Sequence, residues 1–198
     1  MKVNFIKSLF RGFALPIYKR SARQMARELS SYIHKDDEVL DLGCGIGIIS
    51  YFIGKDLGAK VMGVDIRDVR EFKIPFVIYN GQSLPFSDKS FDVILIAYVL
   101  HHVDNVEIIL EEAKRICRGK IIIYEDTPEN LIHQFFYWFH RLGFKILFKS
   151  SSLNARFLSP SEWIAVFHKL NLKITSIEKV KPFHPLYFTK RLRFTLSI

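Results

Sequence analysis

Cysteine is scarce in this 198-residue sequence, and the two cysteines, Cys44 and Cys117, lie far apart. Neither belongs to a CxxC pair or to a Cys/His cluster with metal-ligand spacing, so the sequence indicates no disulfide framework and no metal site. Glycine (10 residues) and proline (7 residues) are too few for a collagen-like or low-complexity chain. These shortages predict an ordinary globular protein in a reducing cytoplasm.

Long uninterrupted hydrophobic runs are missing as well. The apolar stretch 10–18 contains an arginine, a glycine and a proline, and no small-residue cleavage site follows it, so no secretory signal is predicted. The later stretch 135–148 contains three basic residues and is too short to span a bilayer. We therefore expect no transmembrane helix.

Acidic residues are outnumbered, with 20 Asp and Glu against 29 Lys and Arg, which gives a formal net charge of +9. Such a charge attracts nucleic acid, anionic lipid or an acidic substrate, and it does not distinguish among them. A solvated basic surface without a partner is an equally good interpretation, because no run of five like charges marks a binding tail. Nucleic-acid contact and peripheral membrane contact both stay open.

The spacing of apolar residues predicts the order of the secondary structure. Within residues 17–34, apolar residues recur at helical spacing along one face and basic residues occupy other positions, which predicts an amphipathic N-terminal helix. From Glu38 onward, short β-branched runs alternate with helical stretches, which is typical of a parallel sheet covered by helices. The runs that predict these strands are EVLDL, KVMGVD, PFVIYN, FDVILIA and KIIIY.

Two further β-rich runs, at 172–180 and 185–198, predict an antiparallel pair that closes the sheet. The expected fold is α/β, a Rossmann-like doubly wound, mainly parallel seven-stranded sheet with an antiparallel C-terminal strand pair. Since no repeat or linker interrupts the chain, we expect one domain over residues 1–198.

A glycine-rich loop at 43–47 follows the first predicted strand and precedes a helix, which is where α/β sheets bind nucleotide-like ligands. The dinucleotide fingerprint GxGxxG requires a glycine where this sequence has Ile48, and no Gly-Lys-Ser/Thr follows to make a phosphate-binding P-loop. The loop therefore predicts a nucleoside ligand without a pyrophosphate.

Two acidic residues define that ligand further. Asp41, two residues before the glycines, would repel a pyrophosphate and attract an ammonium group. Asp65 ends the next strand twenty residues beyond Gly45, where a carboxylate accepts hydrogen bonds from both ribose hydroxyls. S-adenosylmethionine offers an ammonium, a sulfonium, a ribose diol and an adenine, so both acids fit this one cofactor.

The ordered set of motifs resembles a known family. It comprises VLDLGCGIG at 39–47, GVDI at 63–66, NGQSLPFSDKSFDVILIAYVLHHV at 80–103 and KIIIYED at 120–126. Together they are similar to class I S-adenosylmethionine-dependent methyltransferases over roughly residues 35–198. The resemblance is closest to the subgroup that methylates small molecules, quinones and lipids (type 11 methyltransferases).

The resemblance implies the cofactor contacts. Asp41 and the loop 43–47 would hold the methionine portion, Asp65 the ribose, and Ile66 one face of the adenine. The family commonly has an aspartate where this chain has Asn80, whose amide oxygen still offers an acceptor to the adenine amino group. The complete set of candidate cofactor residues is Asp41, Gly43, Cys44, Gly45, Gly47, Asp65, Ile66, Asn80, Gly81 and Ala97.

Methyl transfer from a sulfonium needs an in-line approach, and positioning supplies much of the acceleration, so a general base is optional. If the acceptor is a hydroxyl or a phenol, a neutral histidine can take its proton. His102 is the first catalytic candidate and His101 the second, because a histidine at the second position is frequent in the family. A purely structural role for the pair, as a helix cap or as packing under the cofactor, stays open.

The acceptor class is the least determined feature. Residues 131–148 concentrate aromatic side chains, so we expect a cover over an apolar acceptor within about 127–158, unless this stretch is only a helix packed on the sheet. The predicted function is methylation of a small apolar or aromatic acceptor in the cytoplasm, with peripheral membrane contact as a further expectation. RNA methylation is the second alternative, and a non-catalytic module that binds the cofactor or a partner is the third.

Overall fold

The computed structural model describes residues 15–127, 156–181 and 190–198. These residues form four helices, seven strands and a short 3-10 turn at Leu100–His102 after β4. The elements are α1 (Leu15–Leu29), β1 (Glu38–Leu42), α2 (Ile48–Leu57), β2 (Lys60–Asp65), β3 (Phe76–Ile78), β4 (Phe91–Ala97), α3 (Val106–Ile116), β5 (Cys117–Thr127), α4 (Pro160–Lys169), β6 (Lys173–Lys179) and β7 (Lys190–Ser197).

All seven strands belong to one sheet in the order β3-β2-β1-β4-β5-β7-β6. The first five strands are parallel, and β7 lies antiparallel between β5 and β6. This arrangement confirms the predicted doubly wound sheet with an antiparallel C-terminal pair. Strand order reverses between β1 and β4, and ligands of open α/β sheets bind beside the carboxyl ends of the strands at that reversal.

Apolar side chains cover both faces of the sheet, which explains why the central strands have almost no polar residues. One cluster lies under α3 and α4 and includes the buried Trp163, Phe167 and Phe194. The other lies under α1 and α2 and includes Met25 and Phe52. The sheet is therefore a rigid platform whose carboxyl edge presents loops.

The N-terminal helix differs from the predicted range 17–34 at both ends. Its buried face carries Ala22, Met25, Ala26 and Leu29, as the spacing predicted, but Ile17 is 47% exposed. The helix ends at Leu29, where the Ser30 hydroxyl donates to the Arg27 carbonyl and competes with further helical hydrogen bonds. Among the described residues, none of the helices combines the length and apolar character of a membrane span.

Helix caps fix where the functional loops begin. Asn105 caps α3 by accepting hydrogen bonds from the Glu107 and Ile108 N–H groups. Ser159 and Glu162 form a reciprocal capping box at the start of α4. The expected acceptor cover at 127–158 lies outside the described residues except for Thr127 and residues 156–158.

Candidate functional site

The glycine loop 43–47 turns the chain from β1 into α2 at the carboxyl edge of the sheet. Its three glycines have φ angles of +78°, +53° and +76°. The Gly43 and Cys44 N–H groups both donate to the Val64 carbonyl of β2, at 2.7 and 3.2 Å. Because only glycine adopts positive φ without a steric cost, this sequence specifies the tight loop that holds β1 and β2 together at their ends.

Asp65 is fixed at the end of β2 by two backbone donors. One carboxylate oxygen accepts from the Gly45 N–H at 2.9 Å, and the other accepts from the Ile66 N–H at 2.7 Å. A carboxylate has about four lone-pair sites, so each Asp65 oxygen keeps the capacity to accept a further hydrogen bond. The structure thus places Asp65 against the glycine loop, as the sequence predicted.

A cavity of about 760 Å³ opens beside this carboxylate. Seven of the predicted site residues line it, namely Gly43, Gly45, Asp65, Ile66, Asn80, Gly81 and His102. The remaining lining residues were not predicted: Arg67, Val69, Tyr79, Gln82, Tyr98, Val99, Val103, Asp104, Asn105 and Ile108. The other five predicted site residues do not line the cavity; they are Asp41, Cys44, Gly47, Ala97 and His101.

Aliphatic side chains make part of the cavity wall apolar. Ile66 is 52% exposed, and its Cγ2 atom lies 3.4 Å from where a β-carbon on Gly81 would stand. Val69 and Ile108 line the same cavity and are also exposed. Exposed aliphatic residues gathered in a concavity suit a flat heteroaromatic ring, and their burial by a ligand is favourable.

Asn80 occupies the cavity wall in an orientation that the sequence did not reveal. Its side-chain oxygen accepts from the Gln82 and Ser83 N–H groups, at 2.9 Å each. The acceptor that we expected to meet the adenine amino group is therefore occupied by the loop that follows β3. In this structure Asn80 shapes that loop, and the aliphatic side chains form the apolar part of the cavity wall.

Asp41 lies beneath the loop and is only 2% exposed. The Ser50 hydroxyl of α2 donates to its Oδ2 atom at 2.5 Å. Burial raises the pKa of Asp41 to about 6, against the opposing effect of the Ser50 hydrogen bond, and the negative charge of Asp65 adds to the rise. Asp41 is thus a buried carboxyl group beneath the loop and does not line the cavity.

We expect Asp41→Asn to stabilise the ligand-free protein at pH 7 and to weaken cofactor binding. The folded state favours the protonated carboxyl of Asp41. The resulting stabilisation of the fold is complete below the unfolded pKa of about 3.8 and is lost as pH rises through about 6. At 1.36 kcal/mol per pKa unit, ionising Asp41 costs the fold about 3 kcal/mol at neutral pH. Urea unfolding at pH 4 and pH 7 measures the change.

Asp56→Asn on the exposed surface of α2 is the matched control, with both quantities expected to stay unchanged. Calorimetric titration with S-adenosylhomocysteine reports the loss of affinity, because the amide no longer attracts the ammonium group. An Asp41→Asn variant that binds as tightly as the wild type would remove Asp41 from the cofactor site.

Alanine substitutions at Gly43 and Gly45 are expected to affect different properties, namely the stability of the fold for Gly43 and ligand binding for Gly45. A β-carbon on Gly43 would stand 2.4 Å from Val99 Cγ2, while one on Gly45 would meet nothing within 4 Å. Gly43→Ala should lower the free energy of unfolding by about 3 kcal/mol, from left-handed strain and overpacking together. Gly45→Ala should cost only about 1 kcal/mol in strain and place its methyl group in the space for the ligand.

Urea unfolding and S-adenosylhomocysteine titration of both variants separate the two effects. Equal destabilisation by the two variants, or normal ligand binding by a folded Gly45→Ala protein, would contradict this assignment of the open space beside Gly45.

Cys44 and Ala97 support the site from within the core. Burial raises the pKa of the Cys44 thiol, which disfavours the nucleophilic thiolate, and its sulfur packs closely against Gly63. Ala97, at the end of β4, packs against the apolar cluster under α1 and α2. Within the described part of the chain, no group of three or more His, Cys, Asp or Glu residues is placed to hold a metal ion.

The two adjacent histidines have different environments. His102 is exposed and lines the cavity, whereas His101 is buried and its Nδ1 lies 2.6 Å from Glu125 Oε2. The other Glu125 oxygen accepts from the Leu100 N–H at 2.7 Å. Burial opposes the charged imidazole, but the Glu125 carboxylate outweighs it and raises the pKa of His101. His101 thus has a structural environment, and His102 is the histidine within reach of a ligand.

Two important residues escaped the sequence reasoning. Glu125 is fully buried at the carboxyl end of β5, and an acid ending a buried strand was the same signal that singled out Asp41 and Asp65. Tyr98 follows β4 with a φ of +60°, and its hydroxyl is buried without a hydrogen-bond partner among the described residues. A positive φ at a tyrosine is strained and frequent at functional sites, but nothing in the sequence reveals it.

Comparisons with known proteins match this geometry. A family model described as a methyltransferase domain matches residues 40–123. The sterol 4-C-methyltransferase strm-1 of Caenorhabditis elegans is 33% identical over 118 residues, which cover 52% of this chain and 34% of that protein. The demethylmenaquinone methyltransferase of Tropheryma whipplei is 34% identical over 113 residues, which cover 50% of this chain and 46% of that protein.

The matched segment runs from β1 to β5 and contains the glycine loop, Asp65 and the cavity wall. Over residues 40–123 the match is to a methyltransferase domain, which confirms for that segment the family that the motifs predicted. An S-adenosylmethionine-dependent methyltransferase from Methanosarcina mazei shares the fold of this chain. The TM-score is 0.66 at 19% identity, and the match covers 85% of this chain and 95% of that chain. The chain spans less than half the length of the two curated relatives.

Proposed function

We propose that this protein transfers a methyl group from S-adenosylmethionine to a small apolar or aromatic acceptor, such as a quinone or another lipid. The observation that carries the proposal is the Asp65 carboxylate, fixed by two backbone N–H groups beside a cavity of about 760 Å³. The sterol and demethylmenaquinone methyltransferases among the relatives support an apolar acceptor.

Each part of the cavity has a role in holding the cofactor. S-adenosylmethionine, when bound, supplies a methyl group on a positively charged sulfur that is a good leaving group. Asp65 accepts from the ribose hydroxyls, Ile66 packs on the adenine, and the open space beside Gly45 receives the methionine portion. Asp41 stabilises the ammonium group through its charge, and the rigid loop fixes the direction in which the methyl group is presented.

An acceptor cover within about residues 127–158 belongs to this proposal. Thr127 ends β5 at the carboxyl edge of the sheet, and the Arg156 N–H donates to the His101 carbonyl at 2.9 Å. The Phe157 ring stacks on His101 with centroids 4.7 Å apart. Both ends of the segment therefore lie at the cofactor edge, which supports a cover at that edge.

We assign His102 the role of proton acceptor for a hydroxyl-bearing acceptor. Its exposed imidazole lines the cavity, so it reaches a bound molecule without a structural change. His102→Gln is expected to lower methyl transfer about 100-fold and to leave S-adenosylhomocysteine affinity unchanged. His168→Gln, which removes an exposed histidine on α4, is the control. Normal turnover of His102→Gln at saturating acceptor would remove His102 from the mechanism.

The test of the function is transfer of a labelled methyl group from S-adenosylmethionine to fractions of a cell extract. We expect label in the organic-solvent extract with the wild type and none with Asp65→Ala. Label in the RNA fraction would instead establish the RNA-methylating alternative. Tight S-adenosylhomocysteine binding without label in any fraction would establish a non-catalytic module.

We place this activity in the cytoplasm. Both cysteines are buried free thiols, which suits a reducing compartment and gives no role to disulfide formation. Peripheral contact with a membrane is compatible with that location, because a lipid acceptor has to be collected from one.

A further inference from the structure

Positive charge is concentrated at the start of the chain. Residues 1–35 contain eight Lys and Arg residues and one acid, Glu28, so they account for most of the formal net charge of +9. The Glu28 side chain accepts a hydrogen bond from Gln24 within α1. A local excess of this size creates a potential that selects an anionic partner.

The orientation of α1 places its first turn at the cofactor edge of the sheet. Lys19 Nζ lies 5.9 Å from the centre of the Phe72 ring, and the Phe72 N–H donates to the Ile46 carbonyl in the glycine loop. At the other end, the Tyr32 carbonyl accepts from Lys120 Nζ, near the start of β5. The helix therefore runs antiparallel to the parallel strands, with its first residues on the side where the acceptor has to enter.

The exposed face of that first turn combines aliphatic, aromatic and basic side chains. Ile17 and Tyr18 are 47% and 51% exposed, and Lys19 and Arg20 beside them are exposed as well. The next two turns add Arg23, which stacks on Phe52, and further along Arg27. None of these four cations forms an ion pair with any described residue.

This composition fits a lipid surface better than a nucleic acid. Lys and Arg side chains near an anionic membrane are attracted to it, and burial of the Ile17 side chain in lipid adds a favourable hydrophobic contribution. A phosphate backbone satisfies the cations equally well but gives no apolar environment to Ile17. The apolar face of α1 is packed on the sheet, so the exposed first turn, with Ile17 and Tyr18 beside the cations, is the part that suits a membrane interface.

We propose that α1 docks on an anionic lipid surface through Ile17, Tyr18, Lys19 and Arg20, with Arg23 and Arg27 contacting headgroups. Docking turns the carboxyl edge of the sheet, and with it the cofactor cavity, toward the lipid from which the acceptor is drawn. The purpose of the surface rests on the proposed lipid acceptor, whereas its existence is tested without any acceptor.

The test is flotation of the full chain with vesicles of phosphatidylcholine alone and of phosphatidylcholine mixed with phosphatidylserine. We expect binding to the anionic vesicles only, weakened by salt. The double variant Lys19→Gln/Arg20→Gln should bind about 30-fold more weakly, as two charges at about 1 kcal/mol each predict. Ile17→Ser should weaken the binding that persists at high salt.

Lys60→Gln/Lys173→Gln is the matched control, because it removes the same charge from the opposite edge of the sheet. Equal loss of binding in the two double variants would overturn the assignment to α1, and so would binding to RNA without binding to vesicles. Vesicle binding without methyl label in lipid would leave the docking surface standing and remove the proposed function. Methyl label in lipid without vesicle binding would support the proposed function and remove the docking surface.

Discussion

Asp65→Ala is expected to lower the affinity for S-adenosylhomocysteine by at least about 100-fold, which takes micromolar binding beyond the range of calorimetric titration. Hydrogen bonds to a charged group contribute about 1.5–3 kcal/mol each, and the ribose offers two of them. Both bonds are lost together with the carboxylate.

The same substitution also removes an acceptor that orders the site before the ligand arrives. In the wild type, the Asp65 oxygens hold the Gly45 and Ile66 N–H groups, and these two residues line the cavity. Without the carboxylate both N–H groups lose their partner, so the loop and the aliphatic wall have to be ordered by the ligand itself. This cost adds to the loss of the ribose contacts.

Asp68→Ala is the control, because Asp68 lies only three residues further on and pairs with Arg70 on the surface. Its removal changes the net charge equally and should leave the affinity within a factor of two. If Asp65→Ala binds as the wild type does, the ribose assignment is wrong, and what remains is a methyltransferase fold with an unassigned cavity.

The sequence predicted those parts of the site that depend on local chain geometry. The strand EVLDL, the glycines that follow it and the acid at the end of KVMGVD lie where parallel strands must end together. Their meeting point follows from topology alone, and the structure has the Gly45 N–H on the Asp65 carboxylate. The succession of strands and helices along the chain was also predictable, since apolar runs alternate with helical stretches.

Features that depend on side-chain direction or on distant contacts were not predictable. The Asn80 oxygen turns into its own loop, and no spacing rule separates that orientation from one facing the ligand. Asp41 was expected to meet the ligand directly, but Ser50 takes one of its oxygens beneath the loop. The ranking of the two histidines came from the family resemblance, and only the fold shows that Glu125, 24 residues beyond His101, holds it inside the protein.

Glu125→Gln is expected to lower the free energy of unfolding by about 3 kcal/mol at pH 6. His101 is 4% exposed and Glu125 is not exposed at all, so each is the main compensation for the burial of the other. The amide keeps the shape of the carboxylate, but it carries no charge to balance the imidazolium. Its single oxygen also has to serve both the Leu100 N–H and the His101 ring.

The pH dependence distinguishes this pair from ordinary packing. Because Glu125 raises the pKa of His101, the stabilisation is complete below the unfolded histidine pKa of about 6.5 and is lost as pH rises through the higher folded pKa. In Glu125→Gln, burial disfavours the charged imidazole and is opposed only by the weaker attraction of Asp126, so the variant should lose stability as pH falls below about 6.5. The difference in the free energy of unfolding between the wild type and Glu125→Gln should therefore be largest in mild acid and small above neutral pH.

Urea unfolding of the wild type and the variant across this pH range measures the effect. Glu107→Gln is the control, because its carboxylate pairs with Lys169 on the surface and such pairs contribute about 0–1 kcal/mol. A difference that does not change with pH would assign Glu125 to packing alone. A difference that widens in acid would show that the protonated pair anchors the ends of β4 and β5. His102 follows His101 directly and the Arg156 N–H bonds to the His101 carbonyl, so the positions of the candidate catalytic histidine and of the Arg156 backbone depend on the same buried charge.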